Sequence, residues 1–181
     1  MLNIDPRFRL VHIHPEYHPS RTYNDIAIVE LQQAVSYTEF VYPICLHANI
    51  TDPIGLAYVT GWGLTNSLTK TRSSVLLSTK LDIVPLQKCR EAFVGYDLRG
   101  IREGIQETQI CAHDSQLMKD SCKGDSGGPL FLALDLTIKY YSLIGIVSAG
   151  EDCGSSTPGI YTRVASYMDY IESIVWPNGF K

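Results

Sequence analysis

The 181-residue sequence contains no apolar run long enough to cross a membrane, and no apolar leader follows its first methionine. Positive charge is not in excess, because 15 Lys and Arg residues stand against 19 Asp and Glu residues, a net charge of −4. The sequence shows no repeat and no low-complexity tract. These absences argue against a membrane-spanning protein and against a nucleic-acid partner. With 45% hydrophobic residues, the chain can form one soluble domain with a sizeable core.

Short runs rich in β-branched and aromatic residues, separated by turn residues, are typical of an all-β barrel or sandwich. We predict strands at 8–13, 26–31, 57–62, 76–84, 108–112, 130–134, 140–147 and 159–163. A short helix is predicted at 86–93 and an amphipathic C-terminal helix at 166–176. One face of the second helix is expected to pack on the core rather than to bind a ligand: Tyr167, Tyr170, Ile171 and Ile174.

The string Gly124-Asp125-Ser126-Gly127-Gly128-Pro129 has the composition that nucleophilic catalysis by serine requires. Glycines around Ser126 permit a tight turn and let a substrate carbonyl approach the backbone. By composition alone, such a stretch is an ordinary loop between two strands. The complete string resembles the nucleophile loop of trypsin- and chymotrypsin-like serine proteases. The resemblance implies that Ser126 is the nucleophile and that the N–H groups of Gly124 and Ser126 form the oxyanion hole.

A second segment, Asn24-Asp25-Ile26-Ala27-Ile28-Val29-Glu30-Leu31, resembles the family segment that carries the catalytic aspartate. By itself, an Asn-Asp pair before an apolar run is a turn leading into a strand. Its order relative to Ser126 matches the family, in which a buried carboxylate holds the imidazole of the base in the required tautomer. The resemblance therefore implies that Asp25 is the catalytic aspartate.

The catalytic histidine of the family has no counterpart in this sequence. In the family this histidine precedes the aspartate by about 45 residues. Three histidines lie only 13, 11 and 7 residues before Asp25, and two come after it, where the family topology gives them no route to Ser126. We therefore predict that all five are non-catalytic: His12, His14, His18, His47 and His113.

Asp120, six residues before Ser126, stands where the family has the carboxylate at the base of its primary specificity pocket. By composition alone it is a solvated loop aspartate beside a lysine. At this offset the resemblance implies a pocket that binds Lys or Arg side chains. Ser148-Ala149-Gly150 and Pro158-Gly159-Ile160-Tyr161 resemble the two walls of that pocket. Ser148, Gly150 and Gly159 are therefore expected to contact the substrate, whereas Ala149 replaces a tryptophan that is usual in the family.

The five cysteines cannot all pair within the chain. The resemblance implies the disulfides Cys89–Cys111 and Cys122–Cys153, and hence an oxidising, secreted setting. Reduced cysteines in a cytosolic chain are the alternative. Cys45 lies in a segment similar to the one that tethers an N-terminal pro-region, so its disulfide partner is expected outside this chain.

The resemblance also implies the fold class, a trypsin-like double β-barrel in which most of the first barrel is missing and the second is complete. We place the remnant of the first barrel at 1–34, the inter-barrel connection at 35–54, the C-terminal barrel at 55–165, and the C-terminal helix and tail at 166–181. No Ile-Val-Gly-Gly-like segment is present; in relatives its freed ammonium pairs with the aspartate at the position of Asp125. We expect the carboxylate of Asp125 to lack that partner, which is costly when it is buried.

These residues favour a trypsin-like serine endopeptidase that cleaves after Arg or Lys, present here as a secreted fragment without its histidine and inactive alone. The approach to Asp25 and the tethering cysteine look closest to arthropod clip-domain proteases. One alternative is a catalytically dead homologue that regulates proteases by binding, and another is the product of an incomplete gene model. Expected partners are protein substrates and a pro-region bonded to Cys45, with no cofactor, metal, nucleic acid or membrane. Asn49-Ile50-Thr51 fits the N-glycosylation pattern.

Overall fold

The structure is a computed structural model that describes residues 7–66, 69–96, 100–114, 121–137, 139–150 and 155–179. The strands are β1 (Phe8–Ile13), β2 (Ala27–Leu31), β3 (Cys45–Leu46), β4 (Leu56–Gly61), β5 (Leu64–Asn66), β6 (Thr71–Arg72), β7 (Leu77–Val84), β8 (Gln109–His113), β9 (Pro129–Asp135), β10 (Tyr140–Ala149) and β11 (Gly159–Arg163). The helices are α1 (Leu86–Ala92) and α2 (Met168–Val175), and a 3-10 turn at Val164–Tyr167 leads into α2. Within the described ranges, neither helix is long and apolar enough to span a membrane.

Six strands close into a barrel in the order β11-β8-β7-β4-β9-β10, because β10 also pairs with β11. Neighbouring strands of the barrel are antiparallel. β3 lengthens the sheet by pairing in parallel with β10, so that Cys45 lies opposite Ser142. β1 and β2 form a separate hairpin, and so do β5 and β6. The all-β fold with a complete second barrel and a C-terminal helix, expected from the sequence, is confirmed.

Alternate side chains along the strands fill the barrel, as the two-residue period of a β-strand requires. The core includes Ala57 and Val59 of β4, Leu81 of β7, Leu130 of β9 and Ile144 of β10. Each of these side chains is exposed by 4% or less. The barrel therefore has a continuous apolar interior of its own.

One face of the β1–β2 hairpin packs against the C-terminal helix. Ile26 and Ile28 belong to an apolar cluster with Tyr167, and the Tyr170 hydroxyl donates to the carbonyl oxygen of His12 at 2.7 Å. On the other face, three apolar side chains are 42–49% exposed: Ile13, Val29 and Leu31. Among the described residues, the hairpin is therefore packed on one face only. The division of the chain into domains stays a prediction.

Arg163, at the end of β11, is a buried cation with 4% of its surface exposed. Its Nη2 lies 2.6 Å from Oδ1 of Asp52. Its N–H groups donate to the carbonyl oxygens of Ile50, Glu107 and Gln109. A buried charge is tolerated when it is paired and hydrogen-bonded. This network therefore fixes the segment before the barrel against β8 and β11.

The predicted strand bounds agree with the observed ones to within two residues at each end. Three strands, β3, β5 and β6, were not predicted, because each has only two or three residues and cannot show a period. The predicted start of the C-terminal helix, residue 166, differs from the observed one. Helical structure begins at Val164 with a 3-10 turn, and α2 follows it. Val164 and Tyr167, three residues apart, are both buried, which matches the three-residue turn of a 3-10 helix.

Replacing Leu81 with Ala is expected to lower the free energy of unfolding by about 2–5 kcal/mol, because truncating a fully buried side chain leaves a cavity. The matched control is Leu134→Ala on β9, where the side chain is 52% exposed and the change should stay within about 0.5 kcal/mol. Urea unfolding followed by circular dichroism measures both. Equal losses in the two variants would contradict the assignment of the core.

Candidate active site

Ser126 lies on a tight turn that strand β10 holds in place. The Gly127 N–H donates to the carbonyl oxygen of Val147 at 2.9 Å, and the Val147 N–H donates to that of Gly128 at 2.9 Å. Gly127 has a φ of +80°, which glycine adopts without strain. The Ser126 side chain is exposed, and its hydroxyl has no hydrogen-bond partner among the described residues.

Asp125 points inward from the same turn. Its Oδ1 accepts a hydrogen bond from the Gly63 N–H at 2.7 Å, and its Oδ2 accepts one from the Cys122 N–H at 2.9 Å. A Cβ on Gly61 would overlap with this carboxylate, so the approach requires glycine there. Two backbone N–H groups therefore stabilise the charge of this carboxylate, while the expected absence of an ammonium partner stays a prediction.

The N–H groups of Gly124 and Ser126, predicted to form the oxyanion hole, are both available. In the part of the chain that the structure describes, neither group donates a hydrogen bond. Gly124 has a φ of +106°, so this backbone also depends on glycine. The turn thus keeps two unused donors next to the Ser126 hydroxyl, as stabilisation of a developing oxyanion requires.

Asp25 is held by hydroxyl groups of β10 and β11. Ser148 Oγ donates to Oδ2 of Asp25 at 2.6 Å, and Thr162 Oγ1 donates to the carbonyl oxygen of Asp25 at 2.8 Å. Val147 immediately precedes Ser148, so consecutive residues of β10 hold the turn of Ser126 and the carboxylate of Asp25. One strand therefore brings together two side chains that are 101 positions apart in the sequence.

Asn24, the residue before Asp25, directs the backbone towards the site. Asn24 has a φ of +54°, a left-handed conformation that asparagine tolerates better than most residues. The Tyr167 hydroxyl donates to Asn24 Oδ1 at 3.0 Å. Burial raises the pKa of Tyr167 above its ordinary value, so the hydroxyl stays protonated and donates at neutral pH.

Two further residues fasten this segment to the barrel. Tyr23 is 6% exposed; its hydroxyl donates to the carbonyl oxygen of Gly104 at 2.9 Å and accepts from the Glu103 N–H at 3.0 Å. The Thr22 N–H donates to the carbonyl oxygen of Gly100 at 3.0 Å. The position of Asp25 is therefore set by contacts with the barrel as well as by its own hairpin.

A cavity of about 180 Å³ opens beside Ser126. Ser148, Gly150 and Gly159 line it together with Ser126, so the residues of both predicted walls meet there. A Cβ on Gly150 would lie 3.9 Å from the Cα of Gly159, which shows how closely the walls approach. Larger side chains at both positions would narrow the cavity.

Polar groups lie at one end of this cavity. Ser121 lines it, and Ser121 Oγ lies 3.0 Å from the hydroxyl oxygen of Tyr161, which is fully buried. Asp120, predicted to form the base of the pocket, lies outside the described residues. Its role therefore stays a prediction.

All five histidines belong to the described part of the chain, and none of them hydrogen-bonds to Ser126 or Asp25. The His14 N–H donates to the carbonyl oxygen of Ile26, but the His14 ring packs on Tyr167 and Tyr170 with centroid distances of 5.3 and 4.7 Å. The described residues thus provide a serine and an aspartate without a base between them.

The structure contains the disulfide Cys89–Cys111, with the two Cα atoms 6.3 Å apart, and it joins α1 to β8. Cys122 is also disulfide-bonded; its expected partner, Cys153, lies outside the described residues. Cys45 is exposed and free in β3. Within the described ranges, no group of three or more His, Cys, Asp or Glu side chains could hold a metal ion.

Three of these hydrogen bonds could not be identified from the sequence. Ser148 was predicted to contact the substrate, Tyr167 to pack in the core, and Thr162 was given no role. Their bonds to Asp25 and Asn24 span 123, 143 and 137 positions respectively. No local pattern reports contacts of that separation.

A family model described as Trypsin matches residues 6–171 of this chain. The chain is 42% identical over 172 residues to serine protease Hayan of Drosophila melanogaster and 37% identical over 163 residues to a venom protease of Bombus pensylvanicus. These matches cover 93% and 87% of the chain, but only 27% and 62% of the relatives. The solved structure of mouse neuropsin, a serine protease, is 29% identical with a TM-score of 0.77 over 92% of this chain and 70% of that one.

Replacing Tyr167 with Phe removes the donor to Asn24 and is expected to cost about 1 kcal/mol of stability at neutral pH. Because burial raises the pKa of Tyr167 above 10.0, its hydroxyl stabilises the fold at neutral pH and loses that effect as pH rises through the folded-state pKa. The Phe variant should therefore lose less stability than the wild type between neutral pH and pH above 10. Tyr140→Phe, on an exposed side chain, is the matched control. Thermal unfolding across this pH range decides. An unchanged stability of Tyr167→Phe at neutral pH would contradict the hydrogen bond, and an unchanged alkaline slope would contradict the raised pKa.

Proposed function

Since the chain belongs to the trypsin family of serine proteases, we propose that it carries the nucleophile, the aspartate and the specificity pocket of an endopeptidase that cleaves after Arg or Lys. The observation that carries the proposal is the joint support of Ser126 and Asp25 by Val147 and Ser148 beside one cavity. The chain spans 27% of Hayan and 39% of a second Drosophila relative, serine protease snk.

The proposed chemistry is acyl transfer to Ser126. The hydroxyl attacks the scissile carbonyl, and the N–H groups of Gly124 and Ser126 stabilise the oxyanion of the tetrahedral intermediate. Asp25 holds a histidine in the tautomer that accepts the serine proton, and stabilises the imidazolium that forms. The short bond from Ser148 keeps the carboxylate oriented towards that task.

The base of this reaction must come from polypeptide outside these residues, because no histidine of the chain reaches Ser126 or Asp25. We propose that the chain alone has no useful peptidase activity for this reason. A regulatory homologue without activity is the second candidate, favoured by the missing base. The retained serine, aspartate and free oxyanion donors favour the protease.

The proposed preference for Arg or Lys depends on Asp120. Two features of the described cavity support it. Its facing walls carry Gly150 and Gly159, which leave room for a long side chain. Ser121, whose Oγ lies 3.0 Å from the buried Tyr161 hydroxyl oxygen, gives the cavity a polar lining where a cation can be hydrogen-bonded.

A secreted site of action is proposed from the disulfide Cys89–Cys111. The exposed free thiol of Cys45 is available to a pro-region, as in the clip-domain proteases that this chain resembles. The backbone N–H of Thr51 donates to Asn49 Oδ1 in an exposed segment, where glycosylation at Asn49 is proposed.

We predict that the 181-residue chain hydrolyses a small arginine ester no faster than its Ser126→Ala variant. Without the base, Ser126 remains a neutral hydroxyl, and in a triad protease such a loss costs on the order of 10⁶ in kcat. Ester turnover followed by absorbance is the measurement. Turnover that depends on Ser126 would show that another group of the chain acts as the base.

A chimera in which an upstream segment carrying the family's catalytic histidine is joined to this chain is expected to cleave peptides after Arg or Lys. Asp120→Ser should then reduce the preference for Arg over Phe by about 100-fold or more, because the bound cation loses the carboxylate that pairs with it. Asp169→Ser, at an exposed site on α2, is the matched control. A chimera that prefers Phe or Leu at the cleaved position would refute the pocket assignment.

A further inference from the structure

A guanidinium group lies against the predicted oxyanion hole without belonging to the pocket. A Cβ built on Gly124 would lie 3.4 Å from both Cζ and Nη1 of Arg72, and 3.2 Å from the Cα of Gly63. Gly124, which is exposed, therefore has the Gly63 backbone and the Arg72 side chain as close neighbours. Gly124, Gly63 and Arg72 do not line the cavity beside Ser126.

The backbone of Arg72 is tied to the nucleophile turn. Arg72 pairs with Leu64 across the β5–β6 hairpin. The Leu64 N–H donates to the carbonyl oxygen of Lys123 at 3.0 Å, and the Ser73 N–H donates to that of Gly63 at 3.3 Å. The hairpin is thus attached through Leu64 to Lys123, the residue before Gly124, and the Ser73–Gly63 bond extends the pairing between its two strands. These bonds hold Arg72 close to Gly124.

The charge of Arg72 is not neutralised within the described residues. No carboxylate there lies within ion-pair distance of its guanidinium, and the side chain is exposed. Asp125, the acidic residue next to Gly124, uses its two oxygens on the N–H groups of Gly63 and Cys122. The neighbouring Lys123 is also an exposed cation. This edge of the site is therefore positive, although the chain has a net charge of −4.

On the proposed function, Arg72 lies near the part of a bound peptide that follows the cleaved bond. The cavity that would take the side chain before the cleaved bond is bounded by the ends of β10 and β11. With that side chain in the cavity and its carbonyl at Gly124, the peptide must continue away from the cavity. The residues after the cleaved bond then pass over the Gly124 edge, next to Arg72.

We propose that Arg72 is a specificity-determining residue that favours substrates with an acidic side chain at the first or second position after the cleaved bond. This inference rests on the proposed function for the placement of the peptide. The contact is an exposed ion pair, and such a pair is worth about a three- to five-fold change in affinity at low salt, with less at high salt.

Peptide binding tests the proposal on the 181-residue chain itself, because binding requires no base. Fluorescein-labelled peptides carry Arg followed by Asp-Glu, Arg followed by Gln-Gln, or Arg preceded by Asp-Glu and followed by Gln-Gln. Two further peptides carry Phe in place of Arg, with Asp-Glu or Gln-Gln after it. Fluorescence anisotropy at low and high salt gives the dissociation constants.

The expected result is that Asp-Glu after Arg improves affinity by about three- to five-fold over Gln-Gln, and that Asp-Glu before Arg does not. Arg72→Gln should abolish this ratio, and Arg72→Glu should invert it. Arg102→Gln, which removes the same charge from an exposed turn, is the matched control and should keep the wild-type ratio. High salt should reduce the ratio in the wild type.

The proposal is overturned if the ratio survives Arg72→Gln, if the acidic pair acts only before the cleaved position, or if no peptide binds at low salt. The Phe peptides separate this failure from that of the proposed function. Equal affinity of Phe and Arg peptides, with the acidic ratio and its loss in Arg72→Gln intact, would refute the Arg-selective pocket and leave the role of Arg72 standing.

Discussion

Two consecutive residues of β10 hold the candidate site together. Val147 exchanges backbone hydrogen bonds with the turn that carries Ser126, and Ser148 donates its hydroxyl to Asp25. The position of β10 is fixed in turn by closure of the barrel, since it pairs with β9 on one side and β11 on the other. The same pairing brings the two walls of the cavity together. Packing of the barrel therefore determines the geometry of the site.

Two adjacent side chains of the nucleophile turn point in opposite directions and have different roles. Asp125 points to the N–H groups of Gly63 and Cys122, while Ser126 faces solvent. In this structure, the backbone donors of Gly63 and Cys122 stabilise the Asp125 carboxylate. On the proposed function, the missing base then limits the chemistry of the chain.

Much of this architecture could be predicted from the sequence, because the strands of the barrel have clear apolar runs and the string around Ser126 is specific. The short strands β5 and β6 could not, and with them the position of Arg72 was missed. The hydroxyl groups that support Asp25 and Asn24 were also missed, because they come from distant strands and from the 3-10 turn. Such contacts depend on barrel closure, which brings residues together regardless of the local pattern.

The hairpin that carries Asp25 is held partly by contacts with residues outside it. Thr22 and Tyr23 bind the carbonyl groups of Gly100 and Gly104, and Ile26 is buried against the C-terminal helix. The opposite face of the hairpin stays open. The barrel and the C-terminal helix thus hold the residues of this hairpin that lie nearest Asp25. The side chains on the exposed face of β1 and β2 make no such contacts among the described residues.

Amide hydrogen exchange of the isolated chain tests most directly whether the barrel assembles the site without other polypeptide. The amides of Thr22, Gly127 and Val147 donate to Gly100, Val147 and Gly128, so they should exchange slowly, together with the barrel strands. The amide of Ser36, in an exposed segment where no hydrogen bond from it is found among the described residues, serves as the fast reference. If Thr22 and Gly127 exchange as fast as Ser36 while the barrel strands stay protected, the site is not preassembled and the account is contradicted.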